Sequence, residues 1–362
     1  MTEPEAPSKM TYDEAVARIP ERKLPDFWVA SPERVLDELK KVMKGKVTEI
    51  ARSPGNRPIH AVTYGEPDGL PKANYNSAVG AAEPDRYFDK AARSKPVVML
   101  LGPVHGHEVE GITGLANFLS VIETGKDLAG KARPELSKRA DLCRLVIIPV
   151  GNPDGNARFE PRALQGMERV DIEFWAQGTW KDDSLCHWRG GKRLHPKIGD
   201  EVGYLGCYYD DAGVNPMHDE FFAPMSTTAP AVLKLAQQWG PDLFASLHSC
   251  GYPPGLCHPA FTPVEVQQVV LDISEEYYKR VIRQGIPCQK CDWKPGPFSR
   301  EHFNNLNLTS AVHHTCGADV FSFESPHGIR DNCLLTCEQI LEIQLTLYAV
   351  MMDFVLEKKV TT

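Results

Sequence analysis

No uninterrupted apolar run in this 362-residue chain reaches the roughly 20 residues needed to span a bilayer. The most apolar stretch, residues 336–358, is interrupted by Glu338, Glu342 and Asp353 and reads as a core helix rather than a membrane one. An excess of positive charge is also missing. Forty Lys and Arg stand against 48 Asp and Glu, for a net charge of -8. A nucleic-acid partner calls for a basic face, so neither nucleic acid nor membrane is expected as a partner. Residues 1–10 are polar and charged and lack the basic-then-apolar order of an export signal, so a cytoplasmic location is expected. In that compartment the ten cysteines would stay reduced. One pair, Cys288-Gln289-Lys290-Cys291, has redox or metal spacing, but the second Cys pair of a zinc ribbon is absent. Cys257 and His258 are the residues that could complete such a site. The pair lies in a Pro-rich loop and does not open a helix after a strand, which argues against a thioredoxin-like role. Buried or loop thiols are the expectation.

What is present is ordinary globular composition, 42% hydrophobic and 24% charged, arranged as alternating strand and helix patterns. Ser31-Pro32 reads as an N-cap followed by Pro at the first helical position, with Val35, Leu36, Leu39, Val42 and Met43 on one face. Ile112, Leu115, Phe118, Leu119 and Ile122 mark a second helix ended by Gly125. Thr262-Pro263-Val264-Glu265 reads as a capping box opening a third, which closes near Gly285. This order predicts an α/β fold, a three-layer sandwich with helices on both faces of a mixed, largely parallel sheet. Residues 1–30 read as an N-terminal extension and 31–358 as one domain. Two segments break the rhythm. Residues 68–95 read as a surface insertion. Residues 156–230 carry Trp175, Trp180, Trp188, Tyr204, Tyr208 and Tyr209, which could line a pocket or form a satellite core.

The most informative stretch is Val97-Val98-Met99-Leu100-Leu101-Gly102-Pro103-Val104-His105-Gly106-His107-Glu108, an apolar strand running into a His-Gly-x-Glu turn. Zinc in hydrolytic sites takes three protein ligands from His nitrogens and a carboxylate, leaving a fourth position for water. His105 and Glu108, at the transition from strand to helix, can turn toward one point beyond the sheet edge. A third ligand is His248, at the end of the apolar strand Leu243-Phe244-Ala245-Ser246-Leu247-His248. Open α/β sheets carry their sites at such strand ends. One Zn2+ per chain is expected, although cobalt or manganese bind similar ligands. An overlapping register, His107-Glu108-Val109-Glu110, also reads His-x-x-Glu.

These residues resemble the M14 zinc carboxypeptidases, whose members carry His-x-x-Glu after a strand, a distant His on a second strand and a catalytic Glu on a late one. Only the register of His105, Gly106, Glu108 and Gly111 has the family's glycine spacing. The Asn152-Pro153-Asp154-Gly155 turn and the segments around Gly45-Lys46-Val47 and Gly55 to Val62 are further points of likeness, which spans roughly residues 30–355. The resemblance implies Glu324, in Val320-Phe321-Ser322-Phe323-Glu324-Ser325, as the general base that later acts as acid. It also implies Arg189, in Trp188-Arg189, as the cation that polarises the scissile carbonyl and contacts substrate.

The chain departs from that pattern in one place. Family members grip the substrate's terminal carboxylate with an Asn-Arg pair, but the corresponding positions here are Met217 and His218. Met217 cannot hold a carboxylate, and His218 can do so only when protonated; Arg193 and Arg330 are the cations that could substitute. Asn215 stands where the family has an Asp that orients a zinc-bound His, and its amide oxygen is expected to accept a hydrogen bond from His105. The expected function is zinc-dependent amide hydrolysis on a peptide. The alternatives are deacylation of an N-acyl amino acid on the same chemistry, or a catalytically silent binding protein. His313, His314 and His327 have no assigned role in any of these readings.

Overall fold

The computed structural model describes residues 8–69, 71–297 and 306–361. Its centre is a seven-stranded sheet in which the strands lie in the order Lys46–Arg52, Pro58–Tyr64, Arg144–Ile148, Val97–Leu101, Leu243–Cys250, Asp319–Pro326 and Gly255–Leu256. The strands are β1 (Lys46–Arg52), β2 (Pro58–Tyr64), β3 (Val97–Leu101), β4 (Arg144–Ile148), β7 (Leu243–Cys250), β8 (Gly255–Leu256) and β9 (Asp319–Pro326). A separate hairpin pairs β5 (Gly178–Trp180) with β6 (Val202–Leu205). The four central strands β4, β3, β7 and β9 are parallel, and the flanking β1, β2 and β8 join antiparallel.

Both faces of the sheet are buried because the central strands are apolar at nearly every position, as parallel strands covered by helices must be. Side chains alternate between two cores. Val98, Leu100, Leu145, Ile147 and Leu247 point to one, and Val97, Met99, Val146, Ile148 and Phe244 to the other. The first is covered by the helices Val109–Thr124, Val264–Arg283 and Cys337–Thr361, through residues such as Leu115, Tyr277 and Tyr348. The second is covered by Thr228–Trp239 and Leu308–Cys316, through Val232, Trp239 and Val312. This is the expected three-layer α/β arrangement. The helix Cys337–Thr361 is long and apolar enough to cross a membrane by length and composition alone, yet 67% of its apolar stretch is buried inside the protein.

Local signals in the sequence find their places with some differences. Ser31 caps the helix Pro32–Leu39 by accepting from the Arg34 amide, with Pro32 in the first turn. Gly125 ends the helix Val109–Thr124 in the left-handed conformation. The capping box expected at Thr262 does not form. The helix starts at Val264 without a side-chain cap, because the Thr262 hydroxyl donates to the Pro259 carbonyl on the loop before it. The segment 68–95 is not merely surface. Tyr87 and Phe88 are buried in the second core, and the buried Arg93 pairs with Asp68 and Asp242. Residues 8–30 pack onto the body: Phe27, Trp28 and Val29 are buried, and the Val29 carbonyl accepts from the hydroxyl of Thr113.

The sheet also decides where a site can form. From β3 the chain moves to β4 on one side, whereas β7 and then β9 are added on the other. Outgoing connections at β3 and β7 therefore diverge, leaving a crevice beyond their carboxyl ends.

Candidate metal centre

His105 and Glu108 lie on the turn between β3 and the helix Val109–Thr124, and His248 lies near the end of β7. The turn is locked by close backbone approach. The Gly106 amide donates to the Cys207 carbonyl, and its own carbonyl accepts from the Asn156 side chain. A Cβ at residue 106 would lie 2.0 Å from both the Asn156 nitrogen and the Gly155 carbonyl carbon, so only glycine fits between the two histidines.

The three side chains converge. His105 Nδ1 is 2.8 Å from Glu108 Oε1, His248 Nδ1 is 3.1 Å from Glu108 Oε2, and the two Nδ1 atoms are 3.2 Å apart. Ligands about 2.0–2.1 Å from a tetrahedral centre lie about 3.4 Å from one another, so this spacing suits a single small cation. Among the described residues, this is the group of three or more His, Cys, Asp or Glu whose ligand atoms all lie within 4.8 Å of one another. Burial, reinforced by His248 and His107, holds His105 far below the usual imidazole range, and burial likewise lowers His248 against the pull of Glu324. Neutral imidazole is the form that binds metal. Burial, then the nearby Glu324 charge, pushes the Glu108 carboxyl well above its usual range. A buried carboxylate with no cation beside it is costly, and a divalent ion between the three groups removes that cost.

The surroundings orient the ligands. Ser246, two residues before His248 and on the same face of β7, places its hydroxyl 2.9 Å from His248 Nε2. The Tyr208 ring stacks on His105 with centroids 3.7 Å apart. Glu324, half-buried on β9, is the register partner of His248. It also forms part of the wall of a recess of about 400 Å³ that includes Cys250, Tyr252, Cys257, His258 and Trp293.

Not every residue singled out in the sequence joins this centre. The Asn215 side-chain oxygen accepts from the Met217 amide, as an N-cap does, and so does not reach His105. His105 Nε2 is buried without a hydrogen-bond partner, and its ring is held by Tyr208 instead. Met217 is 5% exposed in the second core, which removes it from any carboxylate clamp. Burial, then the charge of Lys192, lowers His218 to about 3, so it is neutral near pH 7. Arg189 is exposed on the short helix Trp188–Gly191. Arg330 is 69% exposed, with Glu168 nearby.

The overlapping register is buried directly behind the centre. His107 is 1% exposed and also stacks on the Tyr208 ring, with centroids 5.2 Å apart, and Glu110 is paired with His327 at 3.1 Å with both fully buried. Glu110 lies on the helix after the turn, and His327 follows the end of β9, so His327 ties strand to helix. Ser246 and Lys192 carried no motif that would have found them, whereas Tyr208 was among the aromatics read as lining a pocket or forming a satellite core. Only the spacing of Ser246 from His248 on one strand face offered a signal. The aromatics of 156–230 divide between both expectations: Phe174, Trp175 and Tyr204 pack with Tyr12, whereas Tyr208 lines the centre. Cys288 and Cys291 direct their thiols at the carbonyls of Pro254 and Leu256. His313 bonds the Ala318 carbonyl and His314 that of Phe261.

A mixed α/β sheet with a His-Glu-His set at its strand ends and a further carboxylate alongside defines a protein of the metallopeptidase class. The zinc carboxypeptidase family model, M14, matches residues 33–252, and the chain belongs to that family. Among solved structures it is similar to a metallo-carboxypeptidase from Burkholderia cenocepacia, with TM-score 0.54 and 15% identity over 90% of this chain and 69% of that one. It is similar in the same way to a protein from Burkholderia mallei described as a carboxypeptidase, with TM-score 0.54 and 17% identity over 90% and 68% of the two chains. At such identity the likeness is one of fold. No curated protein sequence matches this chain.

Proposed function

We propose that this protein is a zinc-dependent amide hydrolase of carboxypeptidase type, holding one Zn2+ per chain through His105, Glu108 and His248. The observation that carries the reading is the convergence of these three buried donors beside Glu324. Zinc bound there would supply a Lewis acid that polarises an amide carbonyl and makes water a usable nucleophile near neutral pH. The chain's own groups do the rest. The Glu324 carboxylate takes a proton from the attacking water and returns it to the leaving nitrogen, so no free amide anion has to depart. Tyr208, packed over His105, keeps that ligand's orientation fixed while charge builds on the substrate. The likeness to the family gives the developing oxyanion to Arg189, although its side chain is exposed on the Trp188–Gly191 helix. The recess bordered by Glu324 receives a substrate side chain beside the scissile bond.

A second reading uses the same machinery on N-acyl amino acids. N-acyl amino acids present the same scissile amide and the same free carboxylate as dipeptides, so the burial of Met217 bears equally on both readings. The deciding experiment is a screen of the zinc-loaded protein against dipeptides, blocked dipeptides and N-acyl amino acids. Turnover of dipeptides supports peptidase action, and turnover of the acyl compounds alone supports the deacylase. Zinc binding without turnover of any amide would leave a silent binding protein and overturn both.

A further inference from the structure

We propose that Lys192 forms an anion site at the rim of the metal centre and anchors a substrate carboxylate there. This rests on the reading of the centre as an amide hydrolase and names the chemical class of its substrate.

Lys192 follows directly on the helix Trp188–Gly191, and its Nζ lies 3.5 Å from the centroid of the Trp188 ring. The ring face supports the ammonium without neutralising it. The side chain is partly buried, and among the described residues no carboxylate is in ion-pair contact with it. It nonetheless lies close enough for its charge to bear on both His105 and His218. The backbone carries it there. The Gly191 carbonyl accepts from the Tyr209 hydroxyl at 3.0 Å, and the neighbouring Tyr208 is the ring stacked on His105. The segment bearing Lys192 is thereby tied to the metal ligand through two consecutive tyrosines. Another lysine of this region, Lys197, is fully buried and spends its ammonium on the Gln177 carbonyl and Cys186.

An unpaired, partly desolvated ammonium beside a hydrolytic centre is a binding group awaiting an anion. A carboxylate is the anion that an amide substrate presents near its scissile bond. An ammonium acts as a point charge, unlike the two-pronged guanidinium, so it fixes the distance of the carboxylate and tolerates variation in its orientation. The site therefore selects a carboxylate-bearing leaving group without the geometric strictness of an arginine clamp.

The test compares one dipeptide with a free carboxyl end and its C-terminal amide, using zinc-loaded wild type, Lys192→Met and Lys192→Arg, with zinc content measured for each. The wild type should prefer the free acid. In Lys192→Met the ratio of kcat/KM for acid over amide should collapse by about 10- to 150-fold, the worth of one charged hydrogen bond, through KM and at full zinc content. Lys192→Arg should recover part of it. An unchanged ratio in Lys192→Met overturns the proposal, and so does an equal loss on both substrates. If the wild type cleaves no amide, the hydrolase reading fails by itself. The anion site is then judged by calorimetry on the zinc-loaded protein with benzoate and benzamide. A benzoate preference that Lys192→Met abolishes upholds it, and one that survives shows that the metal alone holds the anion.

Discussion

His248 on β7 and Glu324 on β9 are partners in one parallel register, lying side by side across the ladder. The distal ligand and the proposed proton carrier are therefore spaced by backbone hydrogen bonds and not by a loop. A ladder of eight paired positions from Leu243 with Asp319 to Cys250 with Pro326 resists the small displacements to which proton transfer is sensitive.

Replacing His248 by Ala leaves two donors where three converge. Zinc content should fall from one per chain to nearly none after dialysis, and the melting temperature should lose its response to added zinc. Metal analysis checks the first and a thermal scan with and without chelator the second. Full zinc retention in the variant would take His248 out of the ligand set.

Glu324→Gln keeps shape and removes the proton acceptor. Turnover should fall by roughly two to four decades while zinc content stays at the wild-type level. A variant that turns over amides at the wild-type rate would end the role given to Glu324.

Ser246→Ala removes the hydroxyl 2.9 Å from His248 Nε2. Zinc affinity should weaken by about 10- to 100-fold, as it does when the outer partner of a ligating histidine is lost. Titration against a competing chelator measures this, and an unaltered affinity would mean that strand packing alone orients the ring.

Asp210 supplies a pH test away from the metal. Burial raises its carboxyl to about 6, against amide hydrogen bonds from Val214 and Ala212 that favour the charged form. A folded pKa above the ordinary 3.8 means that the folded state holds the proton more tightly. The group's contribution is then present at low pH and is lost as pH rises toward 6. Asp210→Asn abolishes that titration. Its stability relative to wild type should increase between pH 4 and 7, by up to about 3 kcal/mol. Denaturant melts of both proteins across that range give the difference, and a flat difference contradicts the assignment.

The His105 and Glu108 pair was legible in the sequence because its chemistry is local: an apolar strand, a glycine that must have no side chain, and donors three residues apart. The helix from Ser31 and the one stopped at Gly125 were legible for the same reason, since caps act within a single turn. The Thr262 box failed because its hydroxyl had a nearer carbonyl to bond, which residue identity does not reveal. Asn215 failed similarly, turning its oxygen to its own helical turn. Arg193 and Lys192 are neighbours in the same basic stretch, and it is the Lys192 ammonium that lies over the Trp188 ring.

By itself, the sequence determined the α/β class and the strand-end positions of His105, Glu108 and His248, because each follows from periodicity or spacing along the chain, whereas Glu324 came from the resemblance to the zinc carboxypeptidases. Only the tertiary structure decided that Tyr208 covers His105, that Ser246 bonds His248, and that His107, Glu110 and His327 are buried next to the centre. Those outcomes depend on where residues far apart in the chain meet, and meetings of that kind are settled by packing two cores around one sheet rather than by any local preference.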